Sequence, residues 1–347
     1  PVESGPGRPP QISGDTVLLI VGGGRGLGGT IARDLAARYR PTIVLVGRSP
    51  LPVEGQRVAA FDDEQRRQWR RDYHRARRAE RPDVRPAEVE RELERLEAGA
   101  ETWRTLRDLE AAGSRADYRA CDVRDPGAVS DLVVAVQAQY GRIHVVVFGA
   151  GVIEDRTIEA KDPASFDRVF DVKGLGYYNL WQAFRREPPD VLVAFSSVAG
   201  RFGNRGQVDY AAANDLVSRM TAAIDRTTPG LRAVAIDWTA WADVGLAARS
   251  GVGALLEQAG LELLAPAEGA RAFHDELQHG VETEVCIMGN LGSLEPDRRP
   301  DTGPPPTVPA PTFLDRIDLL MPGSEVRATC HLDLERDEWL RDHVIDG

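Results

Sequence analysis

The residues with the clearest chemical potential lie in FSSVAGRFGNRGQVDYAAAN, Phe195 to Asn214, where Ser197 and Tyr210 stand thirteen positions apart and Asn214 follows four after the tyrosine. A tyrosine hydroxyl within reach of a substrate carbonyl can deliver a proton to it while hydride arrives from a cofactor, and a serine hydroxyl can hold the same oxygen. A free tyrosine titrates near pH 10, roughly three units too high for easy proton exchange at neutrality. The pair therefore needs a cation, and Lys173 in SFDRVFDVKGLGYYNL is the candidate. Phe166, Val169, Phe170 and Leu175 of that segment are spaced to form one helix face turned toward a sheet.

Positioning these groups requires a strand that ends where a helix begins. VLVAF, just before the serines, reads as a buried strand, and YAAANDLVSRM has helical spacing and composition. In an open parallel sheet, ligands sit just outside the carboxyl ends of the strands. The rest of the chain supplies such a sheet. TVLLIVGGGRGLGGTIARDLAARY reads as strand, glycine loop and helix, with a cofactor pyrophosphate expected at the helix N-terminus. TIVLVGRS, SRADYRACDVRD, IHVVVFGAGV, LRAVAIDW and VETEVCIMG supply further strands, and Pro126 starts an amphipathic helix through about Tyr140. The reading is α/β, a Rossmann-like doubly wound parallel sheet.

The serine, the tyrosine thirteen on and the YxxxN continuation resemble the short-chain dehydrogenase/reductase superfamily. In its ordinary members the residue four after the tyrosine is lysine, with an asparagine on the preceding helix. Here Lys173 and Asn214 have exchanged these places, which resembles the ketoreductase domains of modular polyketide synthases, as do the FSSVAG, GQ and YAAAN wordings. The likeness runs from about Thr16 to Gly289. It implies that Tyr210 donates the proton, Ser197 orients the carbonyl, Lys173 lowers the tyrosine's pKa and Asn214 supports lysine or water. Ser196, fourteen before the tyrosine, is the less suited serine.

For the cofactor, Gly22, Gly26 and Gly28 keep the spacing of the superfamily's TGxxxGxG loop, which also holds Arg25 and Leu27. Val21 stands where threonine is usual, so one loop-bracing hydroxyl is missing. The second strand ends without the acidic residue that would bind a ribose 2′-hydroxyl and offers Arg48 and Ser49 instead, which suit a 2′-phosphate and favour NADPH. By resemblance, Asp122 and Val123 border the adenine, and Gly149, Ala150 and Gly151 let the backbone approach the cofactor. Ile153 to Asp155 resembles the Leu-Asp-Asp sequence of polyketide ketoreductases that give B-type alcohols, and Phe202 replaces the tryptophan of the opposite class. Asp155 is thus a candidate for stereocontrol and the expected product is 3R, the plain alternative for Asp155 being a helix cap.

The domain reading is a linker over 1–14, a ketoreductase domain over 15–291, a proline-rich linker over 292–312 and a dehydratase-like fragment over 313–347. DHVIDG in the last resembles the start of the dehydratase HxxxGxxxxP sequence, with His343 and Gly347 in place. Residues 51–113 read as a charged helical insertion, in which Val89, Leu93, Leu96, Trp103, Leu106 and Leu109 recur at helical spacing. Its arginines, among them Arg70, Arg71, Arg77 and Arg78, fit a solvated helix face or, less simply, a surface that docks an acidic acyl carrier protein. Trp238 and Trp241 are read as part of a mobile cover over the site, or as core.

The net charge of −11 argues against a general nucleic-acid or anionic-membrane surface. No apolar run reaches a membrane span, PVESGPGRPP is not a signal peptide, and Cys121, Cys286 and Cys330 fit no zinc or disulfide spacing, so a reducing cytoplasm is the default. The expected partners are an acyl carrier protein carrying the phosphopantetheine-bound substrate, and neighbouring dehydratase and other synthase domains. Full polyketide ketoreductases pair the catalytic half with an N-terminal structural half, in whose place this chain shows only a linker. Two alternatives remain at this stage: a stand-alone dehydrogenase acting on small carbonyls, which should lack the linker and tail, and a silent scaffold domain, which should have lost one of the four polar residues.

Overall fold

The computed structural model of the protein describes residues 12–242, 244–245 and 263–289, together with the backbone of 316–321 and 325–329. Those up to 289 belong to one unit and the last two segments to another. In the first unit, runs of β-branched and other apolar residues form strands buried on both faces, as parallel strands between helix layers must be. They are β1 (Val17–Val21), β2 (Thr42–Gly47), β4 (Val145–Phe148), β5 (Val191–Ser197) and β6 (Arg232–Trp238). The more polar β3 (Arg115–Ala120) and β7 (Glu284–Ile287) take the two edges. The order is β3-β2-β1-β4-β5-β6-β7 with every pairing parallel, the doubly wound sheet expected from the sequence. The order reverses between β1 and β4, so a crevice opens beyond their carboxyl ends.

Two apolar layers enclose the sheet. On one face α1 (Gly26–Tyr39), the second half of α4 (Pro86–Ala111) and α10 (Pro266–His279) bury Ile31, Leu35, Leu106, Leu109, Phe273 and Leu277 against the strands. On the other, α5 (Pro126–Tyr140), α7 (Gly176–Phe184) and α9 (Val208–Thr227) bury Val133, Tyr177, Leu180 and Val217. Trp238 and Trp241 belong to the first layer, ring to ring at 5.1 Å and buried. They are core, not cover, and most of the stretch read as a lid, 239–260, lies outside the described residues, namely 243 and 246–260.

The insertion is a helical hairpin with its own small core. Asp62 and Gln65 form a reciprocal capping box at the start of α3 (Asp63–Glu80), and Pro86 opens α4 at a position where its missing N–H costs nothing. Val58 of α2 (Val53–Val58), Trp69, Val89, Leu93 and Ala100 pack together. Part of the arginine face is taken up within the hairpin, while Arg71 and Arg78 are exposed. Arg70 reaches Glu97 and Glu90 at 2.6 Å each, and Arg77 reaches Glu92 at 2.7 Å, which zips α3 to α4.

The hairpin is joined to the fold through α4. The second half of α4 is the crossover helix between β2 and β3, and it holds the glycine loop from behind. Thr105 Oγ1 donates to Gly24 O at 2.9 Å, and Glu101 accepts the Gly26 N–H at 3.1 Å. The bracing hydroxyl that Val21 lacks is thus supplied by another helix.

The second unit shows an antiparallel pair, β8 (Arg316–Met321) and β9 (Glu325–Thr329), with an irregularity between Ile317 and Leu319. Cys330, His343 and Gly347 lie outside the described residues.

If Thr105 carries the loop, the near-isosteric Thr105→Val variant leaves the Gly24 carbonyl without this partner. Urea unfolding should then show a loss of about 1–2 kcal/mol, and an unchanged midpoint with an unchanged slope would show that the loop is held without it.

Candidate active site

Ser197 is the last residue of β5 and the cap of α8 (Val198–Phe202), where its Oγ accepts the Ala199 N–H at 3.1 Å. Ser196 faces away: its Oγ donates to Asn214 O at 3.2 Å and accepts from Ser218 at 2.9 Å, tying β5 to α9. Tyr210 lies in the first turn of α9 and Asn214 one turn later. The Asn214 Nδ2 donates to the Tyr210 carbonyl at 2.7 Å, and its Oδ1 is buried without a partner. Burial raises the Tyr210 pKa, hydrogen bonding with Ser197 and Asn214 pulls it down, and the charge of Asp155 raises it. The hydroxyl pair and the asparagine picked out in the sequence therefore meet in one place.

Lys173 sits in a π turn, Asp171–Leu175, between α6 (Pro163–Phe170) and α7. Its side chain is buried, and Nζ donates to Phe195 O at 2.8 Å and Ala150 O at 3.3 Å. Burial brings its pKa down to about 8. Among the described residues this ammonium makes no hydrogen bond to Tyr210. The expected apolar face is interrupted: Val169 is buried, but Leu175 is 40% exposed, because the extra residue in the wide turn rotates the chain beyond it.

The crevice is lined by backbone. Gly22 has φ +80°, and a Cβ there would lie 2.8 Å from the Gly149 carbonyl carbon; Gly26 has φ +58°. A Cβ on Gly28 would come within 2.8 Å of Gly22 O. Gly151 faces Lys173 Nζ, and Val123 packs against Gly176. Leu27 is half-buried beside Gly245.

At the end of β2, the Tyr118 hydroxyl donates to Ser49 O at 2.6 Å and feels the charge of Arg25. Arg25 and Arg48 are both exposed there. The Asp122 carboxylate, read as an adenine acceptor, is paired with Arg124 at 2.6 Å, which holds its pKa low. The small residues leave room for the pyrophosphate of a nicotinamide dinucleotide, and Arg25 of the glycine loop and Arg48 after β2 are exposed. Among the described residues, no group of three or more His, Cys, Asp or Glu side chains gathers as a metal site.

Asp155 does not cap a helix; that task falls to Asp162 at the start of α6. Its two carboxylate oxygens accept from Gln207 Nε2 at 3.1 and 3.0 Å. Phe202 is exposed. Glu154 is held by Arg168 and Ser165, with its pKa lowered to about 2.

Sequence reasoning missed Lys161, whose Nζ lies 2.7 Å from Asp209 Oδ2 in a pair with side chains only 5% and 1% exposed. The signal was available: of 43 lysines and arginines only Lys161 and Lys173 are lysines, and both are buried.

The family model described as KR domain matches residues 16–243. Over 292 residues the chain is 30% identical to a polyunsaturated fatty acid synthase polypeptide of a Thraustochytrium species, covering 82% of this chain and 10% of that protein. Over 324 residues it is 29% identical to "Polyketide synthase ThaG" of Burkholderia thailandensis, covering 90% of this chain and 5% of that protein. The chain thus spans a tenth or less of these two relatives. Among solved structures it is similar to a ketoreductase domain from the bacillaene assembly line, at 27% identity and a TM-score of 0.58, covering 79% of this chain and 56% of that one. A structure of A-type ketoreductases from a modular polyketide synthase gives 25% identity and a TM-score of 0.61, covering 83% of this chain and 50% of the other. The matched residues are well over half of the chain, and with the fold and the hydroxyl pair they show that it belongs to the KR domain family, an oxidoreductase family.

Proposed function

We propose that the chain is the ketoreductase of a polyketide or polyunsaturated-fatty-acid synthase, and that it uses NADPH to reduce a 3-ketoacyl thioester on an acyl carrier protein to the 3-hydroxyacyl thioester. The observation that carries this reading is the meeting of Ser197, Tyr210 and Asn214 at the end of β5, where the Phe195 carbonyl also holds the buried ammonium of Lys173. NADPH, when bound, supplies the hydride. Gly22, Gly26, Leu27 and Gly28 would border its pyrophosphate, Arg25, Arg48 and Ser49 its 2′-phosphate, Asp122 and Val123 its adenine, and Ala150 and Gly151 its nicotinamide side.

The chain's own residues do the rest. Ser197 and Tyr210 hold the ketone oxygen from two sides, so that charge developing on it is met by hydrogen bonds already in place. Tyr210, kept protonated by burial, gives up its proton to that oxygen. Lys173 provides the positive charge that favours the resulting tyrosinate, and the unpartnered Asn214 Oδ1 accepts from the donor through which the proton is replaced. Asp155, fixed by Gln207 at the mouth, selects the ketone face that gives the 3R, B-type alcohol. An acyl carrier protein and neighbouring synthase domains are the proposed partners, and DHVIDG at the end of the chain is read as the opening of a dehydratase domain.

With a 3-ketoacyl N-acetylcysteamine thioester, wild type should oxidise NADPH and yield mainly the 3R alcohol on chiral chromatography. Tyr210→Phe should lower kcat at least ~100-fold while NADPH binding is retained. A fully active Tyr210→Phe would remove the tyrosine from its role, and a mainly 3S product would remove the B-type assignment.

The pH dependence follows from Lys173. Its folded pKa of about 8 lies below the ordinary lysine value, so the ammonium is intact below pH 8 and lost above it. Because the reduction uses the charged form, kcat/KM should fall as pH rises through about 8. In Lys173→Arg, which stays charged, that limb should vanish or move upward whatever the residual rate. A limb that stays in place would assign it to another group. Stability has the opposite slope: the unfolded chain holds the extra proton between pH 8 and the ordinary lysine value, so the fold gains stability as pH rises through that window.

A further inference from the structure

We propose that the Lys161–Asp209 ion pair is a positioning device for this reduction: it ties the loop bearing Asp155 to the first turn of the tyrosine's helix and so fixes which ketone face meets Tyr210. The proposal rests on the ketoreductase reading above.

Lys161 and Asp209 each touch a neighbour of a key residue. Lys161 Nζ donates to the carbonyl of Glu154, the residue before Asp155, and pairs with Asp209 Oδ2 at 2.7 Å. Asp209 Oδ1 accepts the backbone N–H of Tyr210 at 2.9 Å. One ammonium and one carboxylate thus link the backbone beside Asp155 to the backbone of the tyrosine. Two lesser straps join the same segments: Gln207 Nε2 to Asp155, and the Arg156 N–H to Gly206 O at 2.9 Å. The span is consequential, because the charge of Asp155 already bears on Tyr210.

Stability alone does not account for such a pair. Removing two charges from water is expensive, and apolar residues of similar volume often fold as well or better. Among the described ion pairs no other is as buried; the next, Arg232–Glu276, is 11% and 15% exposed. The residue type points the same way. This chain uses arginine nearly everywhere it needs a cation, yet keeps lysine at 161. A compact ammonium can meet a carbonyl and a carboxylate in a small space, where a planar guanidinium fork demands more room.

The test uses the whole chain with NADPH and a 3-ketoacyl N-acetylcysteamine thioester, reading the 3R to 3S ratio of the alcohol beside kcat, KM and the NADPH Kd. Single removal of either partner leaves the other charge buried and unpaired, which destabilises strongly. The informative variant is therefore the double Lys161→Met/Asp209→Asn, which is neutral and keeps an acceptor for the Tyr210 N–H. We expect it to fold, to bind NADPH within about two-fold of wild type and to lose at least ~ten-fold in stereochemical ratio. Lys161→Arg, which retains charge but not the compact head, should erode the ratio as well, and it carries the test if circular dichroism shows the double variant unfolded. A folded variant of either kind with the wild-type ratio overturns the proposal while leaving the ketoreductase reading intact. A wild type that binds NADPH and yields no alcohol overturns the reading on which the proposal rests, and one that yields it without preference overturns the proposal itself.

Discussion

Among the described residues no carboxylate pairs with the buried Lys173 ammonium, so carbonyl oxygens must be brought to it, and that requirement reaches across the fold. Phe195 O comes from the end of β5 and Ala150 O from the turn after β4, so these two neighbouring strands must end at fixed heights. The π turn delivers the lysine between them, and its wide hydrogen-bonding ring is the sort of local irregularity that recurs at functional sites. The same burial that draws the lysine down to about 8 raises Tyr210 and keeps it protonated, so burial moves the cation and the acid apart in pKa. Ser197 and Asn214 enter this pocket through elements that Ser196, Ser218 and the β5–α9 packing hold in register.

The helical hairpin between β2 and β3 bears on this arrangement from behind. Its ion pairs hold α3 on α4 and engage Arg70 and Arg77, while Arg71 and Arg78 stay exposed. Through Thr105 and Glu101, α4 sets the glycine loop and the first turn of α1. Cofactor loop and insertion are therefore mechanically one piece. Where the loop lacks a hydroxyl of its own at Val21, a neighbouring helix lends one.

Much of this was legible in the sequence, for definite reasons. Strands buried on both faces write themselves as continuous apolar runs, and the Ser197–Tyr210–Asn214 spacing is legible because only the short α8 and a turn separate the end of β5 from the start of α9. The features that escaped were long-range or out of period. Leu175 was expected on the apolar face of a regular helix, but a π turn breaks the 3.6-residue period and turns it outward. Arg70 and Arg77 resemble solvated charges until the glutamates of α4 are folded against them. Trp238 ends β6 and Trp241 follows it, a place that suggests a lid; the packing of α10 makes them core. Lys161 and Asp209 lie 48 positions apart, a separation at which local pattern carries no information.

The central claim is that this chain reduces a ketone at C3 of an acyl thioester, and isotope transfer tests it most directly. NADPH deuterated at the transferable C4 position would be incubated with the chain and a 3-ketoacyl thioester, and the alcohol examined by mass spectrometry. One deuterium at C3 of the product, in step with cofactor oxidation, is the predicted result. A folded protein that binds the cofactor yet leaves C3 unlabelled, or oxidises it without forming the alcohol, would contradict the account.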